Sequence, residues 1–230
     1  MQVAIQVSEL RFSTEEGVLI LDDLSFGVPR EGFVFVVGPP SSGKTLLLKL
    51  ILRELPPSGG QILLVGRNVA RLSPKKVAQL RRRVGYVPER PPLLEDRTVQ
   101  GNLLFKLRAL GYKGEELEEE LSRALELTGL SALADEPAGE LPPLERALLA
   151  LALALCPQPV VALVDDPFRG LPEPGVGTFM ETLLGVQGAG IALLVTTGDE
   201  SLPGRFGFPG RPPKGEERRG VVRLRQGVTV

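Results

Sequence analysis

FVFVVGPPSSGKTLLLKLI, residues Phe33–Ile51, decides the fold. Five apolar residues, Phe33–Val37, stand between glycines, as a parallel strand buried on both faces requires. A short loop, Gly38–Gly43, follows, and Lys44–Leu55 then carries leucines at helical spacing until Pro56 and Pro57 stop it. Inside this strand–loop–helix, GPPSSGKT at Gly38–Thr45 satisfies the pattern G-x-x-x-x-G-K-[ST] in full. Glycines let the backbone turn tightly enough for successive N–H groups to converge on phosphate oxygens. The helix adds the positive end of its dipole, Lys44 a point charge for the outer phosphates, and Thr45 a hydroxyl for magnesium. The stretch therefore predicts a site for ATP or ADP with Mg2+, formed by Gly38, Pro39, Pro40, Ser41, Ser42, Gly43, Lys44, Thr45 and Leu46.

A magnesium ion in such a site needs a carboxylate at the end of a neighbouring buried strand. Val160–Val164 is wholly apolar and runs directly into Asp165, the predicted metal ligand beside Thr45. Asp166 follows, where a base activating water would sit. The alternative is that Asp165 and Asp166 only cap a turn before Pro167.

Outward from these two strands the pattern is an α/β one. Val3–Leu10 and Val18–Val28 alternate well enough to be paired edge strands about a turn at Glu15–Gly17. Gln61–Val65, Val84–Val87, Ile191–Thr196 and Val221–Arg225 read as further strands, with Gly66–Asn68 as a turn. Helices are predicted over Pro74–Arg83, with Ser73 as N-cap, near 98–110, 115–128 and 145–155, and over Pro174–Leu184. The expected organisation is a nucleotide-binding core over 1–87 and 158–210, a helical subdomain inserted at 88–157, and a C-terminal tail, 211–230, with one short strand.

Composition narrows the classes. The 230 residues are 43% hydrophobic and 24% charged, enough for a sizeable buried core. A formal net charge of -1 gives no general argument for nucleic acid as a partner. Histidine is absent, which removes the commonest general base and metal ligand. The single cysteine, Cys156, lies in an apolar run and reads as a buried structural thiol. The acidic run Glu115–Glu120 reads as a solvated helix face. MQVAIQVSEL lacks the basic start and apolar core of a signal peptide, and Leu144–Leu155 falls well short of the roughly 20 residues that span a bilayer.

The two phosphate-site motifs and the helical stretch between them resemble the ATP-binding subunits of ABC systems over nearly the whole chain. LDDLSFGVPREGFVFVVGPPSSGKTLLLKLI is similar to openings found throughout that family. LL-x-DRTV-x-x-N at Leu93–Asn102 looks more particular to the branch of the bacterial cell-division ATP-binding protein FtsE. The resemblance implies a P-loop NTPase (ABC ATPase-like) fold, with a mostly parallel core sheet, antiparallel N-terminal strands and a helical insert. It also implies a cytoplasmic subunit at the inner face of the membrane, docked on a permease-like, FtsX-like integral membrane protein through a groove around Val87–Leu110. A nucleotide-dependent homodimer, or a heterodimer with an intact ABC subunit, goes with it.

Carried across by position, the resemblance gives Phe12 the role of stacking on adenine, against the alternative of a core phenylalanine. Glu89 falls where the family has a glutamine touching magnesium and the attacking water, and Asp166 where it has the catalytic glutamate. The signature Leu-Ser-Gly-Gly-Glu corresponds to Leu141-Pro142-Pro143-Leu144-Glu145, the D-loop aspartate to Pro172, and the switch histidine to Gly198. Pro142 and Pro143 have no N–H to give an opposed phosphate, and Leu144 adds bulk where close backbone approach is needed. Asp166 is shorter than glutamate by one methylene, and Glu89 adds negative charge beside phosphate. The expectation is a subunit that binds nucleotide with weak or no intrinsic hydrolysis. The alternatives are an active ABC ATPase driving a permease-like partner, and a P-loop protein outside the ABC class.

Overall fold

The structure is a computed structural model describing residues 3–214, 217–225 and 228–229. Its strands are β1 Val3–Ser13, β2 Leu19–Pro29, β3 Phe33–Val37, β4 Gly59–Leu64, β5 Arg67–Asn68, β6 Val84–Val87, β7 Val161–Val164, β8 Ala192–Thr197, β9 Arg219–Arg225 and β10 Val228–Thr229. The helices are α1 Lys44–Ile51, α2 Pro74–Arg81, α3 Val99–Leu110, α4 Gly114–Thr128, α5 Pro143–Leu155, α6 Glu173–Gly188 and α7 Leu202–Arg205. The strands form one sheet in the order β5-β4-β1-β2-β10-β9-β3-β8-β7-β6. From β9 to β6 neighbouring strands are parallel, whereas β1, β2, β4 and β5 pair antiparallel. This is the α/β class expected.

Why β3 is apolar throughout is now plain. Phe33, Phe35 and Val37 enter one hydrophobic cluster and Val34 and Val36 the other, so alternate side chains fill opposite faces of the sheet. The first cluster joins the parallel strands to α3, α4, α5 and α6. The second joins them to α1 and to β1, β2 and β4. β7 and β8 divide their residues in the same way, which leaves these strands only one register that buries both faces.

Several expectations need correction. β1 and β2 pair as predicted but are interior, because β4 and β5 extend the sheet beyond β1 and β10 covers the other side of β2. The expected turn Gly66–Asn68 includes β5, whose Arg67 and Asn68 close a hairpin on Leu64 and Leu63. α1 ends at Ile51 instead of Leu55, and α6 continues to Gly188. Ser73 does cap α2, but through backbone position alone, with no side-chain bond. The short strand expected at Val221–Arg225 is present as β9, which starts at Arg219 and is hydrogen-bonded in parallel to β3 over Phe33–Val37. Cys156 is fully buried, as expected, and burial pushes its thiol up to about 12. Glu120 departs from the solvated helix face: it is buried and paired with Arg123. Among the described residues no helix is long and apolar enough to cross a membrane.

Candidate functional site

The carboxyl ends of β3, β6, β7 and β8 open onto one cleft of about 860 Å³. This is where ligands sit in open parallel sheets, and the volume is ample for a nucleotide. Of the residues predicted for the site, Phe12, Pro40, Ser41, Gly43, Lys44, Thr45, Leu46, Glu89, Asp165 and Asp166 line it. Gly38, Pro39 and Ser42 form the base of the loop instead. Phe12 is half-buried at the rim, packed against the cluster that holds α1, with Ile20 beside it.

The loop is held open by its own backbone. Gly38 donates to Thr197 O at 3.3 Å, and Ser42 N–H to Pro39 O at 3.2 Å. A Cβ on Gly38 would meet Leu224 O and Ser42 Oγ at 2.6 Å each, so only glycine fits between the neighbouring strand and the loop. Gly43, at φ 93°, is left-handed and turns the chain into α1. Lys44 Nζ donates to Gly38 O at 2.7 Å and to Pro39 O at 2.9 Å, which folds the ammonium over the loop. Burial lowers its pKa, and Asp166, Asp165 and Glu89, in that order, oppose the shift. Ser42 Oγ is buried with no partner inside the loop. A cation and free amides at a helix start, around a glycine-rich turn, make a donor set suited to polyphosphate.

Opposite the loop, Asp165 is 2% exposed and Asp166 follows at φ 47°. Thr196, at the end of β8, ties the two together. Its Oγ1 donates to Asp165 Oδ1 at 2.7 Å and accepts Asp166 N–H at 2.9 Å. A buried carboxylate with one oxygen so fixed is the kind of group a divalent cation compensates. Asp166 Oδ1 accepts the Gly198 N–H at 3.4 Å. Burial raises the Asp166 pKa, while the Gly198 amide, Lys44 and Arg169 pull it back.

Sequence reasoning missed two residues here. Thr196 reads as the end of a strand, and nothing local sets its hydroxyl apart from that of Thr197 beside it. Arg169 is ion-paired with Glu89 across the cleft mouth, an arrangement nothing local in either segment discloses. The stretch Leu141–Glu145 does not line this cleft. It opens α5, with Pro142 as N-cap and Pro143 as the first helical residue.

The family profile described as "ABC transporter" matches residues 21–169. An ABC transporter ATP-binding protein of Pyrococcus furiosus is 35% identical over 199 residues, covering 86% of this chain and 75% of that protein. The cell division ATP-binding protein FtsE of Mycobacterium tuberculosis is 30% identical over 182 residues, covering 79% of each. Among solved structures, cbiO1 from Clostridium perfringens, part of the ABC transporter complex cbiONQ, superposes with a TM-score of 0.88 at 24% identity. That superposition covers 100% of this chain and 88% of the other, and it bears on the fold.

Proposed function

This chain belongs to the ABC transporter family, and we propose that it is an FtsE-like subunit that binds Mg-ATP while hydrolysing it weakly or not at all. One observation carries the reading. An intact loop at Gly38–Thr45, with Lys44 on its carbonyls, coexists in one chain with a Leu141–Glu145 segment whose Pro142 and Pro143 have no N–H.

Lys44 and the loop amides would neutralise and orient the phosphates, and Phe12 with Ile20 offers an apolar rim for the base. Thr45 and Asp165 would hold magnesium, with Thr196 fixing the carboxylate. Bound magnesium supplies Lewis-acid polarisation of the terminal phosphate. Weak hydrolysis follows from the residues opposite. Asp166 is short by on the order of 1.5 Å of reach, and an error of about 1 Å can cost roughly a hundredfold in rate. Each missing amide donor to a developing anion costs about 2.7–4 kcal/mol.

The partner side of the proposal rests on a second hollow of about 430 Å³ between β6, α3 and α5, walled by Tyr86, Pro88, Leu93, Phe105 and Leu153. Phe105 is 52% exposed there, with the Arg97 guanidinium 4.8 Å from its ring centroid. We assign this groove to a helix of a permease-like, FtsX-like membrane protein. Pairing with an intact ABC subunit would let that subunit's signature cover Lys44, whereas Pro142–Leu144 could not serve the partner's site.

One observation favours the alternative, an active ATPase. Burial raises the Asp166 pKa, as a general base requires. Calorimetry and steady-state turnover on the purified chain and on Lys44→Ala separate the readings. The expected outcome is binding of Mg-ATP and Mg-ADP below millimolar concentration, weakened at least tenfold in Lys44→Ala, with turnover under about 1 s⁻¹. Faster turnover that disappears in Lys44→Ala selects the active enzyme, and Asp166→Asn should then abolish it. No binding at millimolar nucleotide removes the site altogether.

A further inference from the structure

Charge is distributed unevenly along this nearly neutral chain. Between Gly66 and Pro88 there are seven cations and no acid, although the formal net charge of the whole is -1. Arg81 is committed to the fold, donating from Nε to Leu52 O at 2.8 Å and from Nη2 to Arg53 O at 3.0 Å. These bonds tie the end of α2 to the chain leaving α1, so α2 is a fixed element and not a loose arm. The other six, Arg67, Arg71, Lys75, Lys76, Arg82 and Arg83, are exposed. Among the described residues none of the six makes an ion pair or donates a side-chain hydrogen bond, while the acids that are paired take arginines elsewhere. Arg82 shares a shallow hollow with Glu116, and Arg83 shares another with Glu31, itself held by Arg218.

This face is continuous with the apolar groove. α2 leads through Arg82 and Arg83 directly into Val84 and Tyr86, which form the groove's wall. Lys106 stands on the opposite wall, exposed and without an ion pair among the described residues. The free cations of α2 and the exposed Phe105 thus flank the same edge strand, β6, from its two faces.

We propose that the α2 face, led by Lys75 and Lys76 and flanked by Arg71 and Arg83, lies against anionic phospholipid headgroups while the groove engages the membrane partner. Charge complementarity supports the occupant, since a juxtamembrane lysine or arginine gains roughly fivefold in binding from an anionic surface. The orientation of the face towards the bilayer rests on the groove assigned above, and the charge does not. A nucleic acid is the less fitting occupant. The segment Gly66–Arg83 carries no aromatic side chain to stack on a base, and α2 spans only Pro74–Arg81.

Co-flotation of the full chain with phosphatidylglycerol-containing or pure phosphatidylcholine vesicles tests this. Binding is expected to the first only, to collapse at high salt, and to weaken at least twenty-fivefold in Lys75→Glu/Lys76→Glu. Nucleotide affinity, measured on the same variant, should be unchanged, because neither lysine touches the cleft. Equal binding to both vesicles, undiminished binding by the charge-reversed variant, or binding to duplex DNA in preference to phosphatidylglycerol overturns the proposal. Failure of nucleotide binding with lipid selectivity intact would instead count against the reading of the cleft.

Discussion

Glu89 and Arg169 are 80 residues apart in sequence and ion-paired in space. Their side chains are 36% and 69% exposed, so the pair contributes about 0–1 kcal/mol to stability. Its consequence is electrostatic. Glu89 raises the Asp166 pKa and Arg169 lowers it, so both charges are felt at the cleft. Arg169 thereby offsets the negative charge that Glu89 brings beside the phosphate site. Arg169→Ala is expected to weaken Mg-ATP severalfold and Mg-ADP less, the scale of one unit charge in a water-rich cleft. Adding Glu89→Gln to that variant should restore the lost affinity. An unchanged ATP-to-ADP affinity ratio in Arg169→Ala would reduce the pair to a surface contact. Lys44 and Asp165 could be read from sequence because their roles are fixed by immediate neighbours, a glycine-rich turn and an apolar strand. Arg169 and Thr196 could not, since each acts on a residue from a different strand end.

Elements show the same division between local and distant causes. The stretch Leu93–Asn102 stood out in the sequence by resemblance alone, and Asn102 supplies a structural role for it. It is 2% exposed at the second turn of α3. Its Oδ1 accepts Leu94 N–H at 2.8 Å, and its Nδ2 donates to Leu94 O and Thr98 O at 3.0 Å each. Thr98 caps the same helix by accepting Gly101 N–H at 3.0 Å. One amide therefore pins the loop that walls the groove to the helix that faces it. Asn102→Ala leaves buried backbone groups without partners and should cost about 1–3 kcal/mol in urea unfolding. Asn102→Asp should not rescue it, because a carboxylate cannot donate to two carbonyls. Wild-type stability in Asn102→Ala would mean that water replaces the amide. Apolar periodicity gave the strands and helices, and helix ends slipped where α1 stopped without proline or glycine and where α6 ran on through Gly185. The interior places of β1 and β2 were illegible, since they depend on β10 and β4 arriving from far along the chain.

At the scale of the molecule, one sheet separates two hydrophobic clusters, and the carboxyl ends of four parallel strands lead into the candidate site. Gly38 follows β3, Glu89 follows β6, Asp165 and Asp166 follow β7, and Gly198 follows β8. A ligand held by all four ends therefore contacts groups that separate when the sheet unfolds, and its binding energy becomes folding stability. At a hundredfold excess over its dissociation constant, Mg-ATP is expected to add about 2.7 kcal/mol. For a chain of this length that raises the unfolding midpoint by roughly 5–11 °C. Differential scanning fluorimetry with and without magnesium checks the value. Lys44→Ala should lose most of the shift at the same nucleotide concentration while keeping its ligand-free midpoint, because the ammonium bonds only carbonyls of its own loop. A full shift in Lys44→Ala would place the nucleotide somewhere other than the Gly38–Thr45 loop. A shift independent of magnesium would remove Asp165 and Thr45 as its ligands. The buried Asp165, bonded only to Thr196 and its own strand's neighbours, would then need another explanation for its place in the core.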